Sequence, residues 1–287
     1  MRPWIELLRP HQWLKSGFVF VGLLFGHAWN DAQTVGQVLL AAAAFSLAAS
    51  AVYVGNDFVD RERDRLHPEK CRRPLASGVI PAGAALVVGA LCLAAAAGLA
   101  WLASPTVLAI VAAYLLLNVG YSLGLKRVVL LDVFIIAAGF MLRILAGTLG
   151  VGIAPSHWLL LCGLMLTLFL GFCKRRAELR ALAGGAGGHR RVLDDYDPAL
   201  LDQLTGICAA ATIVCYSLYT VSPDTRALHD DDRLAATVPF VVYGMFRYLY
   251  RLHRRAGGGD PALDLLTDRH LLAAAGGWLV AVLLILA

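Results

Sequence analysis

The chain has 287 residues, of which 59% are hydrophobic and only 16% charged, with a formal net charge of +5. A water-soluble domain usually carries about a quarter charged residues, and no soluble core absorbs this much apolar sequence, so the composition points to an integral membrane protein. The positive balance falls in short segments between apolar runs, not on a basic soluble face, which argues against a nucleic-acid partner and for the membrane bilayer as the surrounding phase.

The N-terminal stretch MRPWIELLRPHQWLK is amphipathic and basic. It lacks a small-residue cleavage site after a short apolar core, so it reads as a retained segment, with residues 2–13 on the membrane surface, and not as a removable signal peptide. Nine apolar runs follow, at about 14–29, 36–55, 84–102, 105–122, 129–149, 157–173, 201–221, 235–250 and 271–287. A helix needs roughly 20 apolar residues to cross a ~30 Å hydrocarbon core, and the Ala, Leu and Gly content of the runs suits close helix packing. The alternating segments of about ten residues that build a membrane β-barrel are absent. The expectation is an all-α polytopic protein, one membrane-embedded domain over 1–287 with nine transmembrane helices. A homo-oligomer is compatible with it. The six cysteines form no CxxC pair and read as small buried hydrophobes.

Lysine and arginine orient the bundle. Arg2, Arg9 and Lys15 precede the first run; Arg61, Arg63, Arg65, Lys70, Arg72 and Arg73 follow the second; Lys126 and Arg127 follow the fourth. Lys174, Arg175, Arg176, Arg180, Arg190 and Arg191 follow the sixth, and Arg251, Arg254, Arg255 and Arg269 the eighth, whereas the opposite loops carry Arg226 and Arg233. In a nine-span chain all the heavily basic segments share one side, which is therefore cytoplasmic.

Topology does not account for the acids among these cations. In GNDFVDRERDRLHPEKCRRPLASG, residues 55–78, Asp57, Asp60 and Asp64 are three and four residues apart. If the second run continues as a helix, all three carboxylates project from one face. Such a face suits Mg²⁺, which takes hard oxygen ligands, keeps several waters and is commonly shared with substrate phosphates. Asn56 adds an amide beside it, and Lys70, Arg72 and Arg73 could grip an anion there. The alternative is a solvated helix end with Arg61 and Arg65 paired to the acids.

Tyr121, Ser122 and Lys126 lie near the cytoplasmic end of the fourth run, where a tyrosine and a lysine also serve as interfacial anchors. Asp132 and Arg143 fall within the fifth run, Arg143 deeper; ionisable groups at that depth pair or face a polar cavity. GFCKRRAELR, residues 171–180, sets Lys174, Arg175, Arg176 and Glu178 at the mouth of the sixth run. A glycine-rich stretch at 184–188 follows, then Asp194, Asp195, Tyr196 and Asp197; Asp197-Pro198 also reads as a helix start. No HExxH, nucleophile triad or GxxxxGK[ST] element is present.

Asn56-Asp57-x-x-Asp60-x-x-x-Asp64 resembles the NDxxDxxxD motif of the UbiA superfamily of membrane-embedded transferases, and the likeness extends over essentially the whole chain. The resemblance implies a UbiA-like bundle with active-site loops on the cytoplasmic side of a bacterial plasma membrane. Most members bind an isoprenyl diphosphate through two Asp-rich motifs and Mg²⁺ and pass the prenyl group to an aromatic acceptor. Here the second motif, resembling DxxxD, is replaced by KRRAELR. The blocks LRPHQWLK, NDFVDRERDRLHPEKCRRPLASG, YSLGLK, DVFIIAAGFMLRILAG and KRRAEL are similar to those of the decaprenyl-phosphate 5-phosphoribosyltransferase branch. That likeness implies phosphoribosyl diphosphate as donor, a polyprenyl phosphate lipid as acceptor, Mg²⁺ as cofactor, and a product that is a precursor of lipid-linked arabinose for cell-wall polymers.

On this reading Asp57, Asp60, Asp64, Tyr121 and Lys126 are the candidate catalytic residues, with the three aspartates as metal ligands. Lys15, Asn56, Lys70, Arg72, Arg73, Arg143, Lys174, Arg175, Arg176 and Glu178 are the candidate substrate-binding residues. An acceptor phosphate oxygen would attack the anomeric carbon with inversion and release pyrophosphate. Two other readings are an aromatic prenyltransferase for a quinone or haem precursor and a transporter. Transport fits poorly with charges gathered at one mouth and no visible inverted repeat.

Overall fold

The computed structural model describes residues 2–68, 70–183, 191–229, 233–254, 264–265 and 267–286. The glycine-rich stretch at 184–188, Arg190 and Arg255 lie outside the described residues. Among the described residues the chain is helical, without strands. The α-helices are α1 Arg2–Leu8, α2 Val21–Phe25, α3 Ala32–Arg65, α4 Ala82–Ala103, α5 Pro105–Leu123, α6 Leu131–Ala146, α7 His157–Ala183, α8 Pro198–Val221, α9 Pro223–His229, α10 Val238–His253 and α11 Arg269–Leu286.

Seven segments among the described residues are long and apolar enough to cross a membrane: α3, α4, α5, Leu131–Val151, His157–Leu182, α8 and α11. The chain is a multi-pass membrane protein. The runs expected at 14–29 and 235–250 are built differently. The first is an eleven-residue 3₁₀ helix, Pro10–Phe20, running into α2. The second is the 16-residue α10, preceded by a 3₁₀ turn at Arg233–Thr237.

The helices group into two compact units, one of Met1–Leu123 with Leu142–Ala154, the other of Gly124–Met141 with Pro155–Ala287. In the first unit α3 packs along α4, and α4 against α5. Val38, Ala41, Ala44, Phe45 and Ala48 of α3 meet Ala96, Ala100 and Ala103 of α4 and Val107, Val111 and Tyr114 of α5. The small residues let the helix axes approach closely.

The N-terminal segment lies against α3. Arg9 precedes a proline, which disfavours the α conformation; it takes the left-handed region instead, at φ 52°. Pro10 then opens the 3₁₀ helix at a position where it needs no N–H. With three residues per turn, every third side chain of a 3₁₀ helix eclipses, so Trp13, Ser16 and Val19 form one stripe. Trp13 Nε1 donates to Ser50 Oγ at 3.0 Å, and Ser46 Oγ donates to Ser16 Oγ at 3.0 Å. Ser50 Oγ also donates to the Leu8 carbonyl at 2.8 Å, and Tyr53 OH to Gln12 Oε1 at 3.3 Å. 3₁₀ runs beyond three or four residues are uncommon; this ladder along α3 holds one of eleven.

Two glycines set the distance at which this segment meets the chain after α6. A Cβ on Gly147 would lie 1.7 Å from the Val19 carbonyl oxygen, and one on Gly22 1.8 Å from the Gly147 carbonyl oxygen.

The second unit packs α7 on α8, with α10 against α8 and α11. Its core joins Leu168, Phe169, Phe172 and Cys173 of α7 to Leu201, Cys208 and Ala209 of α8 and Met245, Tyr248 and Leu252 of α10. At the basic end of α10, Arg251 bonds Asp264 at 3.0 Å and Asp268 at 2.7 Å, and Arg247 bonds Asp268 at 2.8 Å. Asp268 also accepts the His270 and Leu271 N–H groups at 3.0 Å, capping α11. These bonds, the one from Arg247 foremost, hold the Asp268 carboxyl below its ordinary pKa. All six cysteines are thiols; Cys92, Cys173 and Cys208 are buried.

Gly147→Ala is expected to destabilise the purified protein by about 1–3 kcal/mol, because the added methyl meets backbone that cannot rotate away; thermal unfolding in detergent reads this. Asp268 has a depressed folded-state pKa, so its contribution to stability is present above its unfolded pKa and lost as pH falls below it. Asp268→Asn is therefore expected to lower the midpoint near neutral pH and to flatten its decline below about pH 4.

Candidate active site

The second apolar run does continue. With 34 residues, α3 is about 51 Å long, far more than a ~30 Å hydrocarbon core needs. Asp31 starts it by accepting the Gln33 and Thr34 N–H groups at 3.2 and 3.1 Å. The surplus length carries Asp57, Asp60 and Asp64 along the last turns.

Asp57 and Asp64 are 4% and 5% exposed, so their charges must be compensated inside the protein. One nitrogen of Arg73 donates to both, to Asp57 Oδ1 at 3.1 Å and to Asp64 Oδ2 at 2.7 Å. One nitrogen of Arg9 spans both oxygens of Asp57, at 2.7 and 2.9 Å. Two buried carboxylates thus face two guanidiniums. Arg61 and Arg65, the alternative partners considered from the sequence, turn to Glu62 instead, at 3.2 and 2.7 Å. Asp60 is half-buried and stands apart from the Arg73 bridge, with Arg63 at 3.9 Å. Asn56 Oδ1 accepts from Ser122 Oγ at 2.9 Å, which ties the start of the motif to the end of α5 and orients the amide.

Among the described residues no three metal-ligating side chains converge. The donor set still fits Mg²⁺: a magnesium site commonly takes one or two carboxylates and completes its shell from water and substrate phosphate. Asp57 and Asp64 already hold one positive nitrogen in common. The three-aspartate grouping expected from helical pitch becomes a buried pair with Asp60 beside it, because residues seven apart return to one face while tertiary partners choose the rotamers.

Lys70 and Arg72 are exposed in the short 3₁₀ turn after α3. Lys15 on the N-terminal 3₁₀ helix and Tyr121 near the end of α5 are half-buried. All of these belong to the first unit.

Lys126, Lys174, Arg175, Arg176 and Glu178 belong to the second unit. The KRRAELR stretch is part of α7, not a loop. Lys126 and Lys174 are half-buried. Arg176 grips Asp202 of α8 with two bonds, at 2.8 and 3.1 Å. Arg175, expected from the sequence among the substrate-binding residues, is buried. It is 1% exposed, its Nε bonds Asp132 Oδ2 at 2.7 Å, and another nitrogen bonds Glu178. Asp132, wholly buried, also accepts from Tyr196 OH at 2.7 Å. Tyr196 in turn accepts the Leu130 N–H at 2.8 Å. Burial, reinforced by the Asp132 carboxylate, pushes the Tyr196 phenol well above its usual pKa and keeps its proton on that bond. Arg175 therefore sets the position of Glu178. Asp197 caps α8 by accepting the Ala199 N–H at 3.2 Å.

Arg143, another of the expected substrate-binding residues, is buried as well. It is 5% exposed, its guanidinium lies 4.7 Å from the Tyr114 ring centre and 5.2 Å from that of Phe45, and it donates to Tyr114 OH at 3.2 Å. Eleven residues along α6 put it about 16 Å farther down the helix than Asp132. Aromatic faces hold this buried cation.

Sequence reasoning placed Arg9 only among the topological arginines. Its signal was the Arg-Pro pair heading the LRPHQWLK block, which forces a turn beside the α3 face. Tyr196 and Asp202 left no comparable signal, since their partners lie 64 and 26 residues away.

Residues 16–262 match the model of the UbiA prenyltransferase family. The chain is 32% identical over 288 residues to the decaprenyl-phosphate phosphoribosyltransferase of Mycolicibacterium smegmatis, covering 96% of this chain and 89% of that protein. It is 32% identical over 289 residues to the enzyme of the same name from Corynebacterium glutamicum, covering 98% and 85%. In fold it is similar to a UbiA homologue from Archaeoglobus fulgidus bound to GPP and Mg²⁺, with a TM-score of 0.72, 16% identity and 99% of each chain covered. With a family match over most of its length, near-full-length relatives and the same helical architecture, the chain belongs to the UbiA prenyltransferase family.

Proposed function

We propose that this protein transfers 5-phosphoribose from phosphoribosyl diphosphate to a polyprenyl phosphate of the decaprenyl type, releasing pyrophosphate. The observation that carries this reading is the charge of the α7 mouth. A prenyltransferase of the usual pattern places a second acidic motif there; this chain has the basic run Lys174-Arg175-Arg176 with the single acid Glu178, and with Arg175 committed to Asp132 and Glu178 the candidates for phosphate are Lys174 and Arg176. A donor bearing a diphosphate and a further phosphate, used with a phosphate acceptor, calls for cations at that point. The near-full-length relatives named as phosphoribosyltransferases support the same chemistry.

Asp57 and Asp64 would hold Mg²⁺, with Asp60 and Asn56 beside them. That ion, when bound, neutralises charge on the diphosphate leaving group. Within the first unit Arg73, Lys70, Arg72 and Lys15 are the candidate donors to phosphate oxygens; within the second, taken by itself, the candidates are Lys126, Lys174 and Arg176. Glu178, held by Arg175, is an acceptor for ribose hydroxyls, and Tyr121 orients the donor. The bond formed joins an acceptor phosphate oxygen to the anomeric carbon; the bond broken frees pyrophosphate. The attacking oxygen is already anionic, so the protein supplies no strong base. Its work is positioning and charge compensation.

The reading extends to topology: a single membrane-embedded domain of nine crossings in a bacterial plasma membrane, with the N-terminus and both charged mouths cytoplasmic. The 3₁₀ helix rises about 2 Å per residue, so Pro10–Phe20 with α2 covers about 30 Å. Arg233–Thr237 with α10 covers about 34 Å by the same count. Both suffice for a ~30 Å core, and the Lys and Arg distribution follows.

The test supplies the purified protein with labelled phosphoribosyl diphosphate and polyprenyl phosphate, and separately with a prenyl diphosphate and an aromatic acid. Labelled lipid is expected from the first pair alone; product from the second pair alone would establish aromatic prenylation instead. Asp57→Asn and Asp64→Asn are each expected to reduce transfer by about 100-fold or more at matched Mg²⁺. Wild-type rates in a folded Asp57→Asn protein would exclude the α3 carboxylates from the site.

A further inference from the structure

We infer that Arg9 and Arg73 are exchange cations. They neutralise Asp57 and Asp64 while the donor is absent, and they hand their N–H donors to the donor's phosphate oxygens when a divalent ion takes the carboxylates. The inference rests on the metal reading proposed above and adds Arg9, on the N-terminal segment, to the residues that bind the donor.

The quartet is electrically complete as it stands: two carboxylates and two guanidiniums, joined by four bonds of 2.7–3.1 Å. Asp57 Oδ1 already accepts from both arginines. Oxygens engaged in this way cannot also coordinate a small divalent ion at full strength, because the same lone pairs are required. Adding that ion to an intact quartet would also leave two uncompensated positive charges next to the arginines. Both conflicts end if the guanidiniums turn to an anion that arrives with the metal. Carboxylate and phosphate both offer anionic oxygens to a guanidinium N–H, so the exchange replaces one charge-assisted N–H···O bond by another.

Exposure shows which partners are able to move. The Asp57 and Asp64 side chains are 5% and 6% exposed, whereas those of Arg9 and Arg73 are 22% and 32% exposed. The anions are fixed in the wall and the cations reach its surface. Arg9 is aimed there at a cost. A non-glycine residue is disfavoured in the left-handed region, and Arg9 holds that conformation at φ 52°. Its guanidinium stacks 4.8 Å from the Tyr53 ring centre. The bonds of Gln12, Trp13 and Ser16 to α3 fasten the segment immediately behind it. A mere membrane anchor would need neither the left-handed backbone nor a buried carboxylate as partner.

The experiment uses the full chain in lipid nanodiscs. Binding of Mn²⁺ alone, a hard-cation substitute for Mg²⁺, is followed by the loss of the free-ion EPR signal. Binding of labelled phosphoribosyl diphosphate with Mg²⁺ is followed by equilibrium dialysis. In Arg9→Gln and Arg73→Gln, Mn²⁺ alone is expected to bind about tenfold tighter, because a competitor for the carboxylates is gone, and the donor about tenfold weaker. Opposite signs in one variant are the signature. Both affinities falling together would make the arginines merely structural, and neither changing would remove them from the site; each result overturns the inference. If Arg9→Gln does not fold, Arg9→Lys keeps the charge but not the fork. It should leave Mn²⁺ binding near the wild-type value and weaken the donor; unchanged donor binding there overturns the role of Arg9. Asp57→Asn serves as the separate control. Loss of Mn²⁺ binding in it supports the metal reading whatever the arginine variants do, and undiminished Mn²⁺ binding sinks that reading and this inference together.

Discussion

A buried carboxylate must meet a positive charge, and the candidate site on α3 is organised by that requirement. Asp57 and Asp64 sit two helical turns apart on one face, and both are withdrawn from solvent. A single Arg73 nitrogen bridges them, and Arg9 secures the outer edge of Asp57. The turn after α3 must therefore fold back to deliver Arg73, and the N-terminal segment must run along α3 to deliver Arg9. The local backbone follows: the left-handed Arg9, the proline that opens the 3₁₀ helix, and the serine and tyrosine ladder that holds it.

Charge in the second unit obeys the same rule with a different outcome. Arg175 and Asp132 are buried against each other, with Tyr196 bonded to Asp132 and Glu178 to Arg175. Such a pair contributes less to net stability than to defining one arrangement, because desolvation offsets most of the attraction. Its consequence here is a fixed Glu178 at the end of α7. Arg143 shows a third solution, in which aromatic faces carry much of the burden of a buried cation. Each is a way of keeping an ionised group in or near a low-dielectric phase, and only the first leaves the cations room to change partners.

A chemistry that moves a phosphoribosyl group from a soluble diphosphate to the phosphate of a lipid suits this distribution. The reactants bring their own negative charge, so the protein's task is to present cations and a divalent ion to them. The acidic turns of α3 and the basic turns of α7 extend beyond the apolar parts of their helices. The same extension explains why helices of 34 and 27 residues occur where about 20 would span the core.

Much of this was legible without coordinates. Apolar run lengths determined an all-helical membrane chain, since backbone groups in lipid must bond internally. The three-and-four spacing of Asp57, Asp60 and Asp64 determined that a continuing helix would present them together, since helical pitch is local. The letters Asp197-Pro198 determined a helix start for the same reason. The tertiary structure decided what pitch cannot: that Asp60 stands outside the Arg73 bridge, that Arg9 and not Arg61 or Arg65 answers Asp57, and that Arg175 and Arg143 are internal cations and not exposed ones. It also decided that the first apolar run winds as a 3₁₀ helix, because only its neighbour α3 supplies the partners that make three residues per turn worthwhile. Periodicity is written in adjacent residues, whereas the choice of counter-ion depends on side chains dozens of residues apart that folding alone brings within bonding distance.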